Sequence, residues 1–149
     1  RQRQMCIRDR IYEENTEKYI KDLEKVEKQY EEISQELNGQ KAICLNEALE
    51  YLAKDIKLEY ISLHTDHDEN SMSAESIKNI INKMNTENIK IILIGKDDSI
   101  KNAEILANET NAKIYKLDTV LTGATDKSAY IDAANRNLEV LKSVLGDEK

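Results

Sequence analysis

Lys41 to Asp55 reads KAICLNEALEYLAKD, and the way these residues fold decides the rest of the chain. The apolar run Ala42, Ile43, Cys44, Leu45 stops at Asn46, and a helical spacing of apolar residues starts at once with Ala48, Leu49, Leu52 and Ala53. Such a switch of period marks a buried strand running directly into a helix. In open parallel sheets, ligands collect at the carboxyl ends of strands of this kind. Asn46 is the first polar residue at that position.

Upstream, the sequence predicts a helix over Ile11–Leu37. Tyr19, Leu23, Val26, Tyr30, Ile33 and Leu37 recur at alternating steps of four and three, which lays one apolar stripe along a helix. Glu and Lys fill the other faces at pairing distances. Asn38-Gly39 ends the helix, Gly being the usual residue just past a helix end. At about 1.5 Å per residue the helix spans roughly 40 Å, more than a small domain needs. It reads as a coiled-coil segment or as a strut, and the strand that follows so soon favours the strut over 11–38. Arg1 to Arg10, RQRQMCIRDR, is basic on an acidic chain and has no apolar period. It resembles a peptide translated from sequencing-adapter DNA at the edge of an assembled read. Residues 1–10 are therefore expected to be a non-native leader on a gene cut upstream of Ile11, the alternative being a native basic tail.

Downstream, the strand-then-helix unit repeats. Strands are predicted over Lys41–Leu45, Leu58–Leu63, Ile89–Ile94 and Ala112–Leu117, and helices over Glu47–Ile56, Ala74–Asn85, Ser99–Thr110 and Ser128–Leu145. Ser73 with Ser76, and Asp98 or Ser99 before Ile100, supply helix starts. Alternating short strands and helices give an α/β lobe over 41–146, a four-stranded parallel sheet flanked by helices, with expected strand order 2-1-3-4.

The chain of 149 residues makes at most one domain, and its net charge of −7 with 34% charged residues argues against nucleic acid, which needs clustered Lys and Arg. No stretch approaches the roughly 18 apolar residues of a membrane span, and no signal peptide is visible. The two cysteines do not pair in this reading: Cys6 lies in the leader and Cys44 in a buried strand, where a thiol behaves as a small hydrophobe.

Every strand end offers polar groups. The first gives Asn46 and Glu47, and the second gives His64, Asp66, His67, Asp68 and Glu69 in HTDHDEN. The third gives Gly95, Lys96, Asp97 and Asp98; the fourth gives Asp118, then Gly123 and Asp126. His64 and His67 amid carboxylates suit a borderline cation such as zinc or manganese, or else form a solvated acidic loop. Asp118 either faces a cleft at the sheet edge or caps the next turn. No nucleophile elbow, phosphate-cradling glycine loop or C-x-x-C is present, so nothing in the sequence argues for catalysis.

Four blocks, taken in order, are familiar: NTEKYIKDLEKVEKQYEEISQEL at Asn15–Leu37, KAICLNEALEYLAKD, MSAES at Met72–Ser76 and KLDTVLTGATDKSAYIDAANRNLEVLK at Lys116–Lys142. Together they resemble the carboxyl-terminal half of bacterial zinc/manganese substrate-binding proteins of ABC transporters. The N-E-A-L-x-Y-L-A block and the L-D-x-x-x-T-G-x-x-D-K-x-A-Y block carry the resemblance most specifically. It implies that Ile11–Leu37 is a rigid backbone helix joining two lobes and that Lys41 onward is the second lobe. The first lobe, which in that family supplies two histidine ligands, has no counterpart here, as a truncated gene would give.

The resemblance also implies two metal ligands from the second lobe. One opens the N-E-A-L block and maps onto Asn46, where the family usually has His or Glu; the other is the Asp closing the last strand, here Asp118. An amide oxygen binds first-row divalent cations more weakly than imidazole or carboxylate. Glu47 can substitute only if a turn of about 100° on the helix is overcome, and the loop of His64 and His67 can also compensate. The implied function is capture of zinc or manganese as a transported ligand outside the cytoplasmic membrane, with hand-over to a membrane permease and no catalysis. Binding in this chain alone is expected to be weak or absent, and the whole protein is expected to be a monomer. The competing reading is an intracellular regulatory or oligomerisation module in which the Tyr19–Leu37 stripe dimerises and no metal is bound. A third, an enzyme with a doubly wound nucleotide site, is disfavoured by the missing glycine loop.

Overall fold

A computed structural model describes residues 2–63, 73–123 and 125–146. Nine elements follow in the order α1 (Gln2–Glu36), β1 (Lys41–Cys44), α2 (Ala48–Asp55), β2 (Glu59–Ser62), α3 (Ala74–Glu87), β3 (Ile91–Gly95), α4 (Lys101–Thr110), β4 (Lys113–Leu117) and α5 (Ala129–Gly146). The strands form one parallel sheet in the order β2-β1-β3-β4. This is the expected class and the expected order.

The sequence dictates the layering. Side chains alternate across a strand, so Ala42 and Cys44 of β1 face one side while Ile43 faces the other, and Ile91 and Leu93 of β3 oppose Ile92 and Ile94 in the same way. One face is covered by Val26 and Ile33 of α1 and Leu37 just past it, Leu49 and Ala53 of α2, and Leu138 and Leu141 of α5. The other is covered by Ile80 and Met84 of α3 and Ala103 and Leu106 of α4. The central β3 is buried along its whole length, as a strand covered on both faces must be, whereas the edge strand β4 alternates and exposes Lys113 and Lys116.

Of the helix starts that differ from the sequence expectation, those of α1 and α4 differ for plain physical reasons. α1 begins at Gln2 rather than Ile11, because Gln, Arg and Met propagate a helix well once it is nucleated. Ser73 caps α3 as expected, its Oγ accepting the Ser76 N–H at 3.1 Å. Asp98 and Ser99 do not cap α4: the residue preceding that helix is Ile100, which makes no side-chain cap, and the Asp98 carboxylate is engaged elsewhere.

α1 is 35 residues long, roughly 50 Å at about 1.5 Å per residue. Only its second half joins the core. Val26, Ile33 and Leu37 are buried against the lobe, while Ile11, Tyr12, Tyr19 and Ile20 are exposed. Gly39, with φ of 82°, turns the chain out of the helix into β1.

Candidate functional site

The carboxyl edge of the sheet brings three loops side by side. Asn46 lies two residues past β1, Gly95–Asp98 closes β3, and Asp118 directly follows β4. Because β3 separates β1 from β4, the two outer loops are about 10 Å apart, and the β3 loop bridges them.

On the β1 side, both ends of the Asn46 amide are occupied. Its Oδ1 accepts the Ala48 N–H at 2.9 Å, which caps the start of α2, and its Nδ2 donates to Asp98 Oδ2 at 2.7 Å. The same Asp98 oxygen accepts the Gly95 N–H at 2.8 Å. This clasp needs glycine: a Cβ on Gly95 would lie 2.6 Å from Asp98 Oδ2. Glu47 is exposed at the mouth of α2.

On the β4 side, Asp118 is buried and surrounded by donors. Lys96 Nζ donates to its Oδ2 at 2.9 Å, Arg136 Nη2 donates to the same oxygen at 3.2 Å, and Val120 N–H donates to Oδ1 at 2.9 Å. The Lys96 hydrogen bond, more than the Val120 N–H and the Arg136 guanidinium, holds the carboxyl below the usual carboxylate range despite the opposing effect of burial. Asp118 therefore does both things its position allowed: one oxygen closes the next turn, the other meets charged side chains. The peptide of Asp118 is gripped by the buried Asn137 amide at 2.7 and 2.8 Å. Val120, a β-branched residue at φ of 58°, sits in a strained left-handed conformation next to this corner.

Asp118 stands between two open concavities. One, of about 780 Å³, runs between α1, α2 and the start of the β4–α5 loop, past Leu23, Tyr30, Leu52 and Tyr130. The other, of about 530 Å³, is lined by Lys96, Asp126, Lys127 and Arg136 among others. Among the described residues no group of three or more His, Cys, Asp and Glu converges to hold a metal. His64 and His67 lie outside the described residues. At the end of β4 the edge offers a cation a carboxylate that two cationic side chains already neutralise, with the capped Asn46 amide across β3 at the end of β1.

Residues 8–144 match the family described as zinc-uptake complex component A, periplasmic (ZnuA). The chain belongs to this family. A curated relative, the high-affinity zinc uptake system protein ZnuA of Bacillus subtilis, is 31% identical over 139 residues, which are 90% of this chain and 43% of the relative. The metal-dependent lipoprotein YcdH of Bacillus subtilis superposes with a TM-score of 0.71 at 28% identity, over 89% of this chain and 51% of that one. The SBP FpvC of Pseudomonas aeruginosa, solved in complex with Mn2+, shares the fold at a TM-score of 0.72 and 20% identity, over 93% of this chain and 52% of its own. The chain thus spans about half the length of the relatives it matches.

Within the ZnuA-family lobe, sequence reasoning picked out Asp118 and Asn46 but missed what binds them. Arg136 and Asn137 attracted no notice, although Asn137 is a polar residue at a buried position of α5, between Ala134 and Leu138. A polar side chain on an apolar stripe is the signal that would have marked it. Lys96 stands in the sequence only as one of the polar groups that follow its strand, with nothing to pair it with Asp118.

Proposed function

We propose that this chain is the lobe-and-strut half of a substrate-binding protein that captures a divalent transition metal outside the cytoplasmic membrane and passes it to an ABC-transporter permease, without catalysing a reaction. The observation that carries this reading is the family match over 8–144 together with a carboxylate, Asp118, standing at the end of the last strand on the ligand-binding edge of the sheet. Zinc is the metal named in the Bacillus subtilis relative; manganese follows from the wider resemblance. Asp118 is the principal ligand of this half, with Asn46 or Glu47 as the second and His64 and His67 as further candidates. The whole protein acts as a monomer, its permease and its metal being its partners.

The dimerisation reading keeps only the amino-terminal part of its surface, since Val26, Ile33 and Leu37 of the stripe are buried within the chain's own core while Tyr19 is exposed.

Zinc titration calorimetry on this chain, and on the longest open reading frame that contains it, tests the proposal. Asp118→Ala weakens binding at least tenfold in the longer protein, and Asn46→His strengthens it for zinc. Unchanged affinity in both variants would remove the site from this edge.

A further inference from the structure

We propose that the Lys96 ammonium is a tethered internal cation that occupies the metal-facing oxygen of Asp118, so that a divalent ion binds there only by displacing it and Lys96 sets the affinity of this edge. The inference rests on the reading of Asp118 as a metal ligand.

The geometry separates what is fixed at Asp118 from what can leave. The backbone is fixed, because Asn137 holds its N–H and its C=O and is itself buried. Oδ1 is fixed by the Val120 N–H. Oδ2, in contrast, is paired, among the described residues, with the tips of two long side chains, Lys96 at 2.9 Å and Arg136 at 3.2 Å, which are 38% and 60% exposed against 5% for Asp118 itself. A carboxylate has about four lone-pair sites, and from the concavity lined by Lys96 and Arg136 the approach to Oδ2 runs past these two cations. Turning the carboxylate outward would break the Val120 turn, so an ion that takes Oδ2 from this side does so as the ammonium leaves.

Lys96 rather than Arg136 is the gatekeeper. It is closer, less exposed, and rooted at the end of β3, where its N–H donates to the Leu117 carbonyl at 2.8 Å. Its flexible stem and rotatable donors let it swing away without disturbing the backbone. While it stays, a divalent ion would sit within a few ångströms of a positive charge, a repulsion that scales inversely with distance and is weakly screened at a partly buried site.

The test is calorimetry with zinc chloride on the 149-residue chain and its variants, paired with thermal unfolding in the absence of metal. Lys96→Gln and Lys96→Met are expected to bind zinc at least tenfold more tightly, Lys96→Arg to bind as the parent does, and Asp118→Asn to abolish the gain in either background. Without zinc, Lys96→Gln is expected to melt lower and to recover when zinc is added. Should Lys96→Met fail to fold, Lys96→Gln decides, since it keeps a donor on a slightly shorter stem and loses the charge. If the Lys96 variants gain no affinity while Asp118→Asn loses it, Lys96 is not the gatekeeper and the ligand reading stands. If Asp118→Asn is neutral in both backgrounds, the ligand reading fails and takes this inference with it.

Discussion

Asn137 grips the peptide of Asp118 from both sides: its Oδ1 accepts the Asp118 N–H at 2.7 Å and its Nδ2 donates to the Asp118 carbonyl at 2.8 Å. One side chain on α5 thereby satisfies both main-chain groups of the residue that leaves the sheet, where a further strand would otherwise be needed. Removing it strands a buried donor and a buried acceptor. Asn137→Ala is expected to cost about 2–4 kcal/mol of stability, by the typical penalty for buried groups left unpaired. Asn137→Asp is expected to be as harmful, because a carboxylate has no donor for the carbonyl. Urea unfolding measures both, and a loss under about 0.5 kcal/mol in the alanine variant would show that the clasp contributes little.

Gly95 is required for space rather than for backbone freedom. A Cβ there would meet Asp98 Oδ2 at 2.6 Å and Asn46 Nδ2 at 3.1 Å. Gly95→Ala is therefore expected to force Asp98 aside and release the Asn46 amide, destabilising the lobe by about 1–3 kcal/mol, the usual range for overpacking. The Asn46 side-chain amide protons, visible by NMR, should shift while those of Asn137 stay in position. An unshifted Asn46 signal would refute the clasp.

Val120 carries strain that a different residue would relieve. Its φ of 58° is costly for a β-branched side chain and easy for Gly or Asn. Val120→Asn keeps the N–H that Asp118 accepts and is expected to stabilise the chain by about 1 kcal/mol, or a few degrees in Tm. Calorimetric melting decides, and a lower Tm would mean that the Val120 side chain packs more usefully than its 38% exposure indicates.

These residues also show where the sequence was readable. The two central strands announced themselves because burial on both faces demands an unbroken apolar run, as in Ile91–Gly95. The helices followed from apolar spacing, and short connections between strand and helix left little choice of topology. Asp118 could be marked because it closes such a strand. Its partners could not, since Lys96 and Arg136 lie 22 and 18 residues away and meet it only after the sheet and α5 have packed. The partner of Asn46 was hidden for the same reason: Asp98, 52 residues on, takes one of its donors. Local pattern fixes elements; charge pairing across strand ends is a tertiary outcome.

Cys44 makes the fold sensitive to alkali. Burial, and then the nearby Glu50 charge, push its thiol up to about 12. The unfolded thiol ionises near 8.5, so the folded state holds the proton more tightly and its stability is intact below that pH and falls as pH rises towards 12. Tyr30, also raised to about 12 chiefly by burial, adds to the loss above pH 10. Cys44→Ala is expected to flatten the decline between pH 8.5 and 10, and denaturant midpoints across that range measure it. In a Cys6→Ser background, Cys44 should label with a thiol reagent only as fast as the lobe opens.

The long helix is seated over barely half its length, and the Tyr30 hydroxyl, which donates to the Ala134 carbonyl at 3.1 Å, ties that seat to the helix turn carrying Asn137. The projecting portion is consequently a lever arm whose fulcrum adjoins the Asp118 corner. The two contacts at that fulcrum, Tyr30 on Ala134 and Asn137 on the Asp118 main chain, sit one helical turn apart on α5.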